Sequence, residues 1–158
     1  MGNSTESNNN NEQLCSTSEV DFKYKENTYT VRVIYFFERK KNLILYFREV
    51  SKDDSQELEE DFSIAKNTNP FEVARLVAEN AFSMIDIAKT DFIEFTFHKM
   101  GSLNTFYSFI SDYFIFRRPN KVRRFLFTRA IETHFSKNNI AFKKLNSNFI
   151  FARYKILH

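Results

Sequence analysis

The chain has 158 residues, of which 42% are hydrophobic and 27% charged, a balance that is typical of soluble globular proteins. No apolar run approaches the roughly 20 residues of a membrane-spanning helix, so a membrane partner is not expected. The single cysteine, Cys15, cannot form an internal disulfide, which argues against a secreted disulfide scaffold and for a cytoplasmic location.

Charge is distributed unevenly along the chain. Residues 1–97 carry 11 Lys and Arg against 18 Asp and Glu, whereas residues 98–158 carry 12 against 2. Such asymmetry is one of the indications of nucleic-acid contact. Two explanations remain open: the acidic and basic parts neutralise each other within one fold, or the basic part contacts an external anion.

The first part of the chain predicts a polar tail followed by an antiparallel meander. Residues 1–18 are too polar to offset the entropy of ordering, so we predict a disordered tail and a single domain over 19–158. Apolar and polar residues then alternate with a period of two, which predicts two strands joined by a turn at 26–28. The segment 43–50 predicts a third strand.

The next segment predicts a strand end and a capped helix. An acidic stretch over 51–61 leads to 62–64, which should end a fourth strand. A helix is then expected over 70–89, because Asn69 can cap it, Pro70 suits its first position and Glu72 can complete a capping box. Its predicted inner face consists of Ala74, Val77, Ala78, Ala81, Met84, Ile85 and Ala88.

The second half of the chain predicts a strand, helices and a closing hairpin. A strongly apolar alternation over 91–98 indicates a strand, and 103–116 suits a helix or an extended segment. A helix over 119–137 precedes two strands joined by a tight turn at 146–148. The elements together predict an α+β domain with helices packed on a mostly antiparallel sheet.

The helix over 119–137 combines an apolar face with the densest positive charge of the chain. The predicted apolar face consists of Val122, Phe125, Leu126, Ala130 and Ile131. The basic cluster consists of Arg117, Arg118, Lys121, Arg123 and Arg124. Cations at the start of a helix face the positive end of its dipole, so this cluster needs an anionic partner: a nucleic acid, an acidic protein or the acidic part of the same chain.

The order of elements resembles the GNAT N-acetyltransferase superfamily. In that family an Asn, an Ala and a Leu-Tyr pair mark the second helix; Asn120, Arg123 and Leu126-Phe127 stand at this spacing. The resemblance implies an acyl-CoA-dependent N-acyltransferase that uses acetyl-CoA or another acyl-CoA. Phe127 replaces the tyrosine that serves as general acid in the family, and it has no proton to donate.

The resemblance also implies a pyrophosphate-binding loop before the first helix. The corresponding residues are Lys66, Asn67, Thr68 and Asn69, where the family has a glycine-rich turn. This chain has no glycine there, and Pro70 removes one backbone donor.

Other candidate chemistry is incomplete. The histidines His98, His134 and His158 have no metal-ligand spacing, so no metal site is expected. His98, with Glu94 and Tyr107, is a candidate proton-transfer group. The alternative is a histidine at the edge of the sheet whose hydrogen bonds are satisfied and which has no catalytic role. No catalytic residue is assigned. The primary hypothesis is a non-catalytic binding module without a cofactor, and acyl transfer is the alternative.

Overall fold

The protein's computed structural model describes residues 14–50, 59–61, 68–96, 121–145 and 151–158. Strands in these ranges are β1 (Cys15–Tyr24), β2 (Asn27–Phe36), β3 (Lys41–Val50), β4 (Glu59–Asp61), β5 (Phe92–Thr96), β6 (Phe142–Lys144) and β7 (Phe151–Ile156). The helices are α1 (Pro70–Ser83), a short 3-10 turn (Ile87–Lys89) and α2 (Lys121–Lys137).

The strands form one sheet in the order β1-β2-β3-β5-β7-β6, and β4 pairs with the end of β3. Only β3 and β5 are parallel; the other paired strands in the described ranges are antiparallel. The predicted α+β class with a mostly antiparallel sheet is therefore confirmed.

The opening meander agrees with the sequence except at its boundaries. β1 begins at Cys15, earlier than the predicted domain boundary at 19, because its first residues pair with the end of β2. Its turn is Lys25-Glu26 rather than 26–28, since Tyr24 pairs directly with Asn27 and Lys25 adopts a φ of 55°. Two-residue turns with positive φ match the twist of antiparallel strands.

Helix α1 begins where the sequence predicts and ends earlier. The side-chain oxygen of Asn69 accepts a hydrogen bond from the Phe71 amide at 3.0 Å. Glu72 does not reach back to the cap; its Oε2 accepts from Arg75 Nη2 at 2.6 Å. The α-helix stops at Ser83, and Asp86 then caps the 3-10 turn, so the predicted helix to residue 89 is two separate elements.

Both helices pack on the same face of the sheet in one hydrophobic core. The predicted inner face of the first helix is confirmed at its α1 positions and at Ile85. Of the other positions beyond the end of α1, Met84 is partly buried and Ala88 is exposed. On α2 the fully buried residues are Phe127, Ile131 and Phe135, which follow one another at a spacing of four residues.

The predicted apolar face of α2 is wrong at Phe125, whose side chain is 56% exposed. Successive residues of an α-helix turn by about 100°, so Phe125 lies about 200° around the axis from Phe127, away from the core. Leu126 and Ile131 are buried and Ala130 partly buried, as predicted, whereas the side chain of Val122 lies outside the described residues.

The end of α2 at Lys137 is confirmed and has an identifiable cause. Asn139 adopts a φ of 53°, and the Ile140 amide donates to the Phe135 carbonyl at 2.9 Å. This is the hydrogen bond of a Schellman cap, and it turns the chain into β6. The predicted strand end at 62–64, helix at 103–116 and turn at 146–148 lie outside the described residues.

Candidate anion-binding groove

A groove of about 800 Å³ lies between the outer side of α2 and strand β6. Its lining comprises Arg124, Phe125, Thr128, Arg129, Glu132, Thr133, Ser136, Lys137, Phe142 and Lys144. Helix α2 supplies most of this lining. Its apolar face packs on the core, so its polar residues lie on the opposite side of the helix. The hairpin β6–β7 then places β6 alongside it.

Positive charge dominates the groove. Its lining has four cationic side chains and one carboxylate, Glu132, which pairs with Lys144 Nζ at 3.0 Å. Neither Arg129 nor Lys137 has a carboxylate at salt-bridge distance within the described part of the chain. The groove therefore has a surplus of positive charge that these residues do not neutralise.

Aromatic rings stand among these charges. The guanidinium carbon of Arg129 lies 6.0 Å from the centroid of the exposed Phe125 ring, at cation–π distance. On the opposite side, the half-buried Phe142 ring contacts Phe135 and Tyr154, with centroids 4.8 Å and 5.7 Å away. The groove thus presents one exposed ring and one ring that the core holds in place.

Glu132 is fixed at the groove by two partners. Its Oε1 accepts from the Tyr154 hydroxyl at 3.1 Å and is the atom nearest to Lys144 Nζ. Burial, with the adjacent Glu132 charge, raises the pKa of the Tyr154 phenol well above its usual range. Tyr154 therefore remains a hydrogen-bond donor at neutral pH.

One residue of the predicted basic cluster has a described side chain, and it lines this groove. Arg124 lines it, Lys121 and Arg123 belong to the first turn of α2, and Arg117 and Arg118 lie outside the described residues. Sequence reasoning missed Arg129 and Lys137. A signal was present, because Phe125, Arg129, Thr133 and Lys137 recur every four residues and so share one side of the helix.

Pairing between the acidic and basic parts of the chain is limited in the described ranges. Glu94 Oε2 accepts from Arg153 Nε and Nη2, both at 2.9 Å, and Lys41 Nζ lies 3.6 Å away. His158 lies 3.7 Å from Asp91. No other ion pair between described residues joins 1–97 to 98–158, and neither of these involves a groove cation.

Two of the four candidate coenzyme A residues lie in the described part of the chain. Lys66 and Asn67 lie outside the described residues. Thr68 and Asn69 precede α1, and the Asn69 side chain already accepts from the Phe71 amide. The Phe71 amide, one of the donors that a helix start offers to an anion, is thus occupied.

Three aromatic rings pack together on the core side of the sheet, at the point where β3 and β5 stop pairing. The ladder ends at Ile44 and Phe95. Phe127 lies against the rings of Tyr46 and Phe95, with centroids 4.6 Å and 5.0 Å away, and each of the three is at most 1% exposed. Phe127 is therefore a core residue.

The other candidates give no catalytic site among the described residues. His98 and Tyr107 lie outside them, and Glu94 is held by Arg153. No group of three potential metal ligands occurs in the described ranges. Within the same ranges, no helix combines the length and apolar character needed to cross a membrane.

No protein-family model, curated protein or solved structure matches this chain.

Proposed function

We propose that this chain is a non-catalytic binding module that contacts an anionic partner, a nucleic acid or an acidic protein, through the groove between α2 and β6. The observation that carries the proposal is the charge of the groove: Arg129 and Lys137 have no carboxylate partner in the described part of the chain. An anion in the groove would relieve their repulsion.

The first turn of α2 supports the same proposal. It contains no acidic residue, although Lys121, Arg123 and Arg124 lie at its start. Cations at this end are unfavourable by a few tenths of a kcal/mol each. Folding alone would favour Asp or Glu at these positions, whereas contact with an anion explains Lys and Arg.

The test compares two double variants that remove the same charge. In Arg129→Ala/Lys137→Ala the groove loses two cations, whereas Arg75→Ala/Lys89→Ala removes two cations from the α1 side. Titrating a fluorescent polyanion at several salt concentrations should show tight, salt-sensitive binding for the wild type and the α1-side control. The groove variant should bind at least tenfold more weakly, with an unchanged thermal midpoint.

The proposal fails if the wild type binds no polyanion at low salt, or if both double variants lose affinity equally. In the first case, the basic part serves the chain's own fold. In the second, net charge rather than the groove governs binding, because long-range steering depends on total charge.

Acyl transfer from an acyl-CoA is a second candidate because of the order of the sheet. Helix α1 connects the parallel strands β3 and β5, and the hairpin β6–β7 follows α2 and adjoins β5. This order supports a GNAT-like fold. The buried Phe127 disfavours catalysis, since it cannot protonate a leaving thiolate. Calorimetry with acetyl-CoA tests the candidate, and the absence of heat and of a thermal shift would remove it.

A further inference from the structure

The exposed ring of Phe125 is the groove feature that charge alone does not explain. More than half of this side chain is in contact with solvent, beside Arg124 and Arg129. Carboxylates of an acidic protein pair with the cations and make no use of the face of the ring. A planar base gains by covering the ring, because base–aromatic stacking needs no particular sequence.

The arrangement of charges along α2 suits a chain of phosphates. Phe125 and Lys137 are twelve residues apart, which corresponds to about 18 Å along a helix axis. Arg129 lies between them and contacts the ring. A base stacked on Phe125 would place its phosphate near Arg129, and the next phosphates would run toward Lys137.

The same arrangement distinguishes single strands from duplexes. In a duplex, the faces of each base are covered by its neighbours in the stack, so a protein ring reaches them only after unstacking. In a single strand the bases are able to splay out and stack on aromatic side chains. The exposed ring of Phe125 therefore favours a single strand, whose base faces are accessible, over a duplex.

We propose that the ligand of the groove is single-stranded nucleic acid, with a base stacked on Phe125 and its phosphates held by Arg129 and Lys137. This inference rests on the proposed function and specifies its partner. It predicts two separable contributions to affinity: base stacking on Phe125 and the attraction between phosphates and cations.

The test uses a matched pair of phenylalanines. Phe71 on α1 and Phe125 on α2 are both 56% exposed, so Phe125→Ala and Phe71→Ala remove equal exposed rings from neighbouring helices. Three probes are titrated by fluorescence anisotropy: a single-stranded oligonucleotide of about ten nucleotides, a duplex of the same length, and heparin, a polyanion without bases.

Phe125→Ala should weaken binding of the single strand about tenfold, the loss of one base–aromatic stack, and leave heparin binding unchanged. Phe71→Ala should alter neither. The inference is overturned, and the proposed function stands, if heparin binds as tightly as the single strand and Phe125→Ala has no effect. Preference for the duplex also overturns it. If no polyanion binds at low salt, both proposals fail.

Discussion

Helices α1 and α2 pack on the same sheet face, yet their first turns are built differently. α1 has Asn69 as its cap, proline in its first position and the acidic Glu72 in its first turn, each of which stabilises a helix start. The first turn of α2 has no acidic residue and several basic ones. Local rules that favour folding are followed in α1 and broken in α2.

The outer sides of the two helices differ in the same way. On α1, Arg75 pairs with Glu72 and Glu79, each at 2.6 Å, and these hydrogen bonds raise its pKa further. On α2, Arg129 and Lys137 have no such partners in the described residues. Positions where a protein breaks local rules are often functional. The proposed function accounts for this difference, because it gives Arg129 and Lys137 an external partner.

The largest expected effect tests the inner side of α2. Phe127→Ala removes a fully buried ring that lies against Tyr46 and Phe95. Loss of its contacts and the resulting cavity should cost about 3–5 kcal/mol of unfolding free energy. Urea denaturation followed by circular dichroism measures this cost.

Phe125→Ala serves as the control on the outer side of the same helix. Because Phe125 is mostly exposed, its removal should change stability by less than about 0.5 kcal/mol. Equal losses for the two variants would contradict the assignment of Phe127 to the core and of Phe125 to the ligand.

The next effect concerns the carboxylate in the groove. Glu132→Gln removes the negative charge nearest to the groove cations while keeping an acceptor for the Tyr154 hydroxyl. Affinity for a polyanion at low salt should rise about two- to fivefold, since one repulsive charge is lost near the surface. Glu79→Gln on α1 is the control and should change affinity little. A fall in affinity for Glu132→Gln would show that this carboxylate positions Lys144 for the ligand.

Arg75→Ala tests whether the balanced charges of α1 contribute to stability. The variant loses two exposed ion pairs of the i,i+3 and i,i+4 type. Each is worth about 0.3–0.5 kcal/mol, so the total loss should stay below about 1 kcal/mol and shrink in high salt. Thermal denaturation at low and high salt measures it. A loss that persists in molar salt would point to packing by the Arg75 stem instead.

Much of this fold follows from local patterns in the sequence. Asn69 and Pro70 are next to each other in the chain, so the start of α1 was predictable. The spacing predicts a capping box at Glu72, yet Glu72 pairs with Arg75, because an arginine three residues away competes for the same carboxylate. Such competition depends on side-chain geometry that spacing alone does not contain.

The groove was less predictable because it is built from two distant segments. The sequence indicated Arg124 as a binding residue, but it gave no contact between α2 and Lys144 of β6. Helical spacing places Phe125 in the predicted apolar face, because a phenylalanine at such a position is usually buried. Two apolar faces fit the sequence of α2, one with Phe125 and one with Phe127. Packing against the sheet determines that the face with Phe127 and Ile131 is buried.

The smallest expected effect tests the contact between the two helices. The His134 ring of α2 stacks on Phe82 of α1, with centroids 4.2 Å apart and planes 8° apart. Burial lowers the pKa of His134; of the charges that face it, Glu79 from α1 opposes the shift and Lys137 from α2 adds to it. The unfolded chain therefore binds the proton more readily than the folded one as pH falls below about 6.5.

The contribution of His134 to the free energy of unfolding should therefore be complete above the pKa that His134 has in the unfolded chain. It should decrease as the pH falls toward the lower pKa that His134 has in the folded protein. His134→Gln should make the decrease between about pH 7.5 and about pH 5.5 shallower, a range above most carboxylate titration. His158→Gln is the matched control, because His158 contacts Asp91 and the Thr90 carbonyl rather than the helix interface. Urea denaturation at the two pH values measures each slope. If the wild type and His134→Gln lose the same stability, protonation of His134 does not oppose the packing of α1 against α2.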